Sequence, residues 1–263
     1  VLLACPTAGL AEACENIQAA RSSAWQLKLA LTLCKGLEQQ TLRTPAEAAT
    51  VLLPGLPVGA LSGPSFAHEV AAGKPTAVTL ASPATDGFAA HVQEAFSGHG
   101  LRVYRSEDLK GVELGGCLKN VYAIAAGIAT GLDLGDNARA ALLTRALAEM
   151  VRLGTALGAR TGTFYGLSGV GDLVATCNGP ASRNRTLGEK IGQGGNARAI
   201  VESHSTVAEG YWAAQAFHKL CAQKGQDAPI LEQIHAVLYE DKPPAEALKT
   251  LLARNLKEET LST

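Results

Sequence analysis

Over residues 1 to about 105, short apolar runs alternate with segments of helical spacing. VLLAC (1–5), LKLALTLC (27–34), VGALSG (58–63), TAVTLAS (76–82) and LRVYRS (101–106) predict strands. Most are apolar at successive positions rather than at every second one, as strands covered on both faces are. Between them, TAGLAEACENIQAA (7–20), TPAEAATVLL (44–53) and DGFAAHVQEAFSG (86–98) predict helices. Such alternation predicts a mostly parallel, helix-covered sheet. The pattern then changes. From residue 107 onward it predicts helices at 107–130, 136–158, 183–192, 207–224, 229–239 and 244–254, punctuated by Gly158, Gly194, Gly225 and the Pro243-Pro244 pair. The fold class is α/β plus all-α, with a sheet part over 1–106 and a helical part over 107–263. No internal repeat or low-complexity tract interrupts either part.

Composition narrows the functional classes. The chain has 263 residues, 47% hydrophobic and 18% charged, enough to bury a core. A net charge of -1 gives no bulk attraction to nucleic acid or an anionic membrane. No apolar run reaches the ~18 residues of a membrane-spanning helix, so neither a nucleic-acid partner nor stable membrane insertion is expected. The six cysteines, with no CxxC pair, read as reduced thiols of an intracellular protein. The six histidines have no metal-ligand spacing, and no metal site is expected.

Chemistry concentrates in a few places. In LGGCLKNVYAIAAG (114–127), Lys119 is the only charged residue between Glu113 and Asp133. Gly115, Lys119, Ala123 and Gly127 fall on one helical face. Small neighbours leave space for a ligand or for a closely packed helix. Burial would lower the pKa of Lys119 and make it a usable acid or base; a snorkelling or structurally paired lysine is the alternative. In LSGVGDLVATC (167–177), Asp172 needs a buried partner, for which Lys119 is the natural choice, or else caps the following helix. In NGPASRNRTLGEKIGQG (178–194), Ser182 is placed to cap a helix with Arg183 and Arg185 in its first turn. Cations are unfavourable there, and a phosphate would reverse that; the alternative is a basic turn balanced by Glu189 and Glu202. Lys35 follows a buried strand, where open α/β sheets bind ligands, or is an ordinary loop lysine.

Taken together the motifs resemble one family, the NAD(P)-dependent sn-glycerol-3-phosphate dehydrogenases of bacterial and plastid type. The resemblance lies in CKGLE (34–38), LSGPSFAHEVAAGKPTAV (61–78), GVELGGCLKNVYAIAAGIATGL (111–132) and GDNARAALLTRALAEMVRLGTALGA (135–159). It continues through FYGLSGVGDLVATC (164–177), SRNRTLGEKIGQG (182–194) and VAEG (207–210), and so spans essentially the whole chain. It implies a Rossmann-like parallel-sheet domain followed by a helical domain like that of 6-phosphogluconate dehydrogenase. It implies interconversion of dihydroxyacetone phosphate and glycerol 3-phosphate with NAD or NADP, for glycerophospholipid synthesis. Lys119 is then the catalytic acid/base. Lys35, Gly63, Ser65, Asp172, Ser182, Arg183 and Asn184 join Lys119 as substrate contacts, and Lys35, Ala67, Arg183, Val207 and Glu209 are cofactor contacts. The expected setting is the cytoplasm, with the plastid stroma as alternative, and a homodimer is the assembly considered.

One departure from the family pattern changes the expectation. No G-x-G-x-x-G follows a strand before residue 60. The first βαβαβ half of the sheet, ~60 residues or more, is expected to be missing, with the chain a fragment of a longer dehydrogenase and VLLAC left as an apolar edge. Two other readings stay open: a cofactor-free remnant that binds a phosphate ligand, and a related β-hydroxyacid dehydrogenase.

Overall fold

The structure, a computed structural model, describes residues 1–20, 27–83, 87–203, 208–256 and 258–259. Five strands form one sheet in the order β1 (Leu2–Leu3), β2 (Ala30–Thr32), β3 (Val58–Ser62), β4 (Thr76–Ala81), β5 (Leu101–Ser106). All five lie inside the runs that the hydrophobic pattern predicts. β1, β2 and β3 are parallel, β4 runs against β3, and β5 is parallel to β4. The reversal sits where the link from β3 to β4 holds only the five-residue helix α3 (Ala67–Ala71), too little to carry the chain back across the sheet for a parallel return. Gly63 makes the turn out of β3 at φ 143°, and a Cβ there would lie 3.1 Å from Val78 Cα. Only glycine takes that conformation without strain.

Three helices beyond α3 belong to the sheet part. α1 (Leu10–Ala20) follows a 3-10 turn at Thr7–Gly9, and α4 (Phe88–Phe96) leads into β5. α2 (Pro45–Leu52) starts at a capping box in which Thr44 and Glu47 satisfy each other's backbone N–H groups. Leu3, Leu10, Cys14, Ala49, Leu53 and Val58 form one core between the sheet and α1 and α2; Leu31, Val78, Leu80 and Val103 form another toward α4.

The helical part is built around α5 (Leu109–Gly131), which is buried continuously from Gly111 to Ala129. A helix apolar on every side must be surrounded, and α5 is. α6 (Gly135–Ala156), α7 (Asp172–Asn178), α8 (Arg183–Gly192), α10 (Glu209–Lys224) and α11 (Pro229–Tyr239) all pack on it. α9 (Ala197–Ser203) and α12 (Pro244–Leu252) pack on α11, outside this ring. The end of β3 also abuts α5: a Cβ on Gly116 would lie 2.7 Å from Ser62 Oγ. No helix among the described residues is long and apolar enough to cross a membrane.

The predicted helices 107–130, 136–158, 183–192, 229–239 and 244–254 correspond to α5, α6, α8, α11 and α12 within two residues at each end. The pattern does not predict α3 or α9 and gives no bounds for the helix at Asp172, α7; each has five or seven residues, too short to show a repeat. Residue 86, in the predicted 86–98 helix, and Val207, at the start of the predicted 207–224 helix, lie outside the described residues.

Candidate active site

The buried helix α5 presents Lys119 toward the start of α7. Its ammonium donates to Asp172 Oδ1 at 2.6 Å and to Thr176 Oγ1 at 2.7 Å. Lys119 is 7% exposed and Asp172 2%. An ammonium has three donors, and among the described residues only these two acceptors meet it. The third N–H has no partner among the described residues. Lys35, just beyond β2, reaches the other carboxylate oxygen, donating to Asp172 Oδ2 at 2.6 Å and to Gly63 O at 3.1 Å. Asp172 therefore bridges two lysines from the two parts of the chain. It does not cap α7, whose N-cap is Gly171.

The electrostatics follow from burial and these partners. Burial, followed by the positive charge of Lys35, lowers Lys119 from 10.5 to about 8, against the pull of Asp172. Burial by itself would raise Asp172, but Lys35 and Lys119 outweigh it and hold the carboxyl below the usual carboxylate range. The site thus joins a carboxylate held toward its charged form to a lysine lowered to about 8.

A second layer of hydrogen bonds fixes the geometry. Asn120, next to Lys119, donates to Lys35 O at 2.9 Å and accepts from Asn184 Nδ2 at 2.9 Å. Asn184 Oδ1 in turn accepts from Gly210 N at 2.9 Å. This amide relay ties the loop after β2 to α5, α8 and the start of α10. Beside Gly210, Glu209 Oε1 accepts from Thr7 N at 3.0 Å and from Thr7 Oγ1 at 3.1 Å, joining α10 to the end of β1. Ser65 Oγ donates to Gly63 O at 3.1 Å. Ser62 Oγ is buried beside Gly116 without a hydrogen-bond partner among the described residues.

The sequence-predicted residues divide accordingly. Lys35, Gly63, Ser65, Lys119 and Asp172 form one bonded cluster, and Asn184 and Glu209 flank it. Ser182 is the predicted N-cap of α8, accepting from Arg185 N at 3.2 Å. Arg183 is exposed on the first turn. Arg185 is not held for an anion: it pairs with Glu189 at 3.0 Å, as the basic-turn alternative had it. Ala67 opens α3 on the far side of the Gly63 turn, and Val207 is outside the described residues. The small residues around Lys119 serve close packing rather than free space. A Cβ on Gly127 would lie 2.0 Å from Arg185 O, one on Gly188 2.0 Å from Ile124 O, and one on Gly115 2.5 Å from Ser168 O. Sequence reasoning missed Thr176, four residues past Asp172 on α7, and Thr7, whose partner Glu209 is 202 positions away.

A cavity of about 520 Å³ opens beside the cluster at the ends of β1 and β2. Thr7, Gly36, Gln39, Glu209 and Trp212 are among its lining residues. It meets the cluster through Gly36 and Glu209; Lys119 and Asp172 do not line it. Among the described residues there is no group of three acidic, histidine or cysteine side chains placed to hold a metal.

A parallel-led sheet whose strand ends face a buried lysine on a helical layer is the plan of a nicotinamide-dependent dehydrogenase. Residues 1–87 match the family model for the N-terminus of NAD-dependent glycerol-3-phosphate dehydrogenase, and residues 108–249 match the one for its C-terminus. The chain belongs to this family. It is 51% identical over 228 residues to a glycerol-3-phosphate dehydrogenase [NAD(P)+] of Geobacter sp. (strain M21), covering 86% of this chain and 68% of the relative. It is 47% identical over 269 residues to that of Ralstonia nicotianae, covering 99% and 77%. The crystal structure of glycerol-3-phosphate dehydrogenase from Coxiella burnetii superposes with a TM-score of 0.89 at 38% identity, covering 96% of this chain and 76% of that one.

Proposed function

We propose that the protein interconverts dihydroxyacetone phosphate and sn-glycerol 3-phosphate with NAD or NADP, supplying the backbone of glycerophospholipids. The observation that carries this reading is Lys119: buried, held by Asp172 and Thr176, lowered to about 8, and with one N–H uncommitted. When bound, the cofactor supplies or accepts the hydride at the substrate's central carbon. In the reducing direction Lys119 gives its proton to the carbonyl oxygen as negative charge gathers there. In the oxidising direction neutral Lys119 takes the hydroxyl proton.

Asp172 holds Lys119 and Lys35 side by side, one on each carboxylate oxygen, and Lys35 adds positive charge beside the reacting oxygen. Gly63 and Ser65 line the substrate from the sheet side. The substrate phosphate meets the start of α8, where Arg183 and Asn184 offer backbone N–H groups, Ser182 its hydroxyl, and Arg183 its guanidinium, with the helix dipole behind them. Lys35, Ala67, Arg183, Val207 and Glu209 contact the cofactor. The cleft lined by Thr7, Gly36 and Glu209 at the strand ends fits one end of a dinucleotide; a glycine-rich pyrophosphate loop is not present in the sequence. In this proposal the chain divides near residue 106, the setting is the cytoplasm, and the assembly is a homodimer, which sedimentation analysis tests. The function is tested by assaying dihydroxyacetone phosphate reduction with NADH and NADPH for the full-length enzyme and its Lys119→Ala variant. Phosphate-dependent turnover lost in the variant, with cofactor binding kept, is the expected result. No turnover of dihydroxyacetone phosphate with either cofactor refutes it.

A further inference from the structure

Two cysteines stand together at the end of the sheet that carries the site. β1 and β2 pair in parallel with Leu2 opposite Leu31 and Leu3 opposite Thr32. The same register places Cys5 opposite Cys34, and the pairing is kept beyond Leu3 by the bond from Leu33 N to Leu3 O at 3.1 Å. Neighbouring strands run ~4.8 Å apart, within the ~4.4–6.8 Å between Cα atoms that a disulfide spans. The side chains point toward each other: the two sulfurs are 3.9 Å apart, and Cys34 donates its S–H to Cys5 O at 3.0 Å. The other four cysteines are buried, three of them inside the long helical core.

We propose that Cys5 and Cys34 form a peroxide-reactive dithiol site that closes reversibly to a disulfide. Cys5 is half-buried and Cys34 buried, so an oxidant reaches Cys5 first. Burial also pushes the Cys34 thiol up to about 12, which keeps it protonated and unreactive toward peroxide. The chemistry balances in two steps. The Cys5 sulfur attacks hydrogen peroxide, the O–O bond breaks, and one water leaves as Cys5 becomes a sulfenic acid. The Cys34 sulfur then attacks that sulfur, its proton leaves with the hydroxyl as a second water, and the S–S bond forms. Two thiols are oxidised by two electrons in all, and one peroxide is reduced to two waters. Closing the bond brings the sulfurs from 3.9 Å to ~2 Å and draws the two turns together.

The position gives the bond a consequence. Cys34 directly precedes Lys35, whose side chain holds Asp172 and whose carbonyl accepts from Asn120. Cys5 lies two residues before Thr7, the partner of Glu209. Cross-linking the two turns pulls Lys35 away from Asp172 and slows turnover. That consequence rests on the function proposed above; the disulfide chemistry does not, and its test uses no turnover.

The test treats the full-length protein with equimolar hydrogen peroxide and follows it by intact mass and non-reducing peptide mapping. The expected result is loss of two hydrogens, a linked peptide joining Cys5 to Cys34, and full reversal by dithiothreitol. Cys34→Ser should stop at a sulfenic acid on Cys5, trapped by dimedone, and Cys5→Ser should give neither product. Should Cys34→Ser not fold, Cys34→Ala and the wild-type mapping carry the same test. Peroxide treatment that yields no Cys5–Cys34 peptide, or that labels Cys34 before Cys5, overturns the proposal. If the linked peptide forms, dihydroxyacetone phosphate reduction should fall at least several-fold and recover with dithiothreitol. Formation of the link with turnover unchanged overturns the consequence and leaves the chemistry standing.

Discussion

Asp172→Asn is the most informative single change, because one carboxylate holds two lysines. At 2.6 Å each and an effective dielectric of ~20, each ion pair is worth ~6 kcal/mol of gross attraction. Most of that offsets the cost of taking the charges out of water. Removing one partner of a buried pair therefore leaves a net loss of ~3–5 kcal/mol, set by the charge left behind. The two lysines respond differently. The Lys35 side chain is 19% exposed and turns to water; that of Lys119 is 8% exposed and has nowhere to go. Relief comes when Lys119 gives up its proton, since the burial that is the main cause of its fall to about 8 then acts without the opposing pull of Asp172. The variant's Lys119 is then neutral in the folded state and protonated in the unfolded one, so variant stability rises with pH below about 8 while the wild type stays flat there. Urea unfolding of both proteins at pH 6 and pH 9 checks this. The expected gap is ~3 kcal/mol or more at pH 6 and smaller at pH 9. Equal stability at pH 6, or a gap that widens with pH, refutes the reasoning. Dihydroxyacetone phosphate reduction at pH 7 should also collapse, because the proton donor is empty.

Arg183→Ala should raise KM for dihydroxyacetone phosphate by about ten- to a hundred-fold, the worth of a charged hydrogen bond; steady-state kinetics with dihydroxyacetone as the phosphate-free control decides it, since equal loss for both substrates contradicts the assignment. Gly127→Ala should destabilise by ~1–3 kcal/mol or more, because its Cβ would lie 2.0 Å from Arg185 O and force α5 from α8; scanning calorimetry should show a lower Tm, and an unchanged Tm means the contact is looser than described.

Much of this architecture is legible from residue pattern. Short strand-like runs, most of them continuously apolar, locate all five strands, and the long helical segments locate α5 and α6, because both signals extend over enough residues to stand out. The lone cation at Lys119 and its pairing with Asp172 follow from the cost of burying either by itself. What the pattern does not carry is anything set by long-range contact. Asp172 pairs with Lys35 as well, across 137 positions. The relay from Lys35 through Asn120 and Asn184 to Gly210 joins four segments that no local spacing relates. The glycines around Lys119 admit two readings in sequence, room for a ligand or close helix packing, and at Gly115 and Gly127 packing against Ser168 and Arg185 decides it. Arg185, alike to Arg183 in sequence, is claimed by Glu189 one turn on.

The claim on which the account turns is that Lys119 moves the proton. The direct measurement is kcat against pH in both directions for the full-length enzyme. Reduction needs the charged lysine and should fall as pH rises through about 8; oxidation needs the neutral lysine and should rise through the same pH. Both profiles should vanish in Lys119→Ala while cofactor binding persists. Turnover that survives in Lys119→Ala, with the same pH limbs as the wild type, would contradict the account.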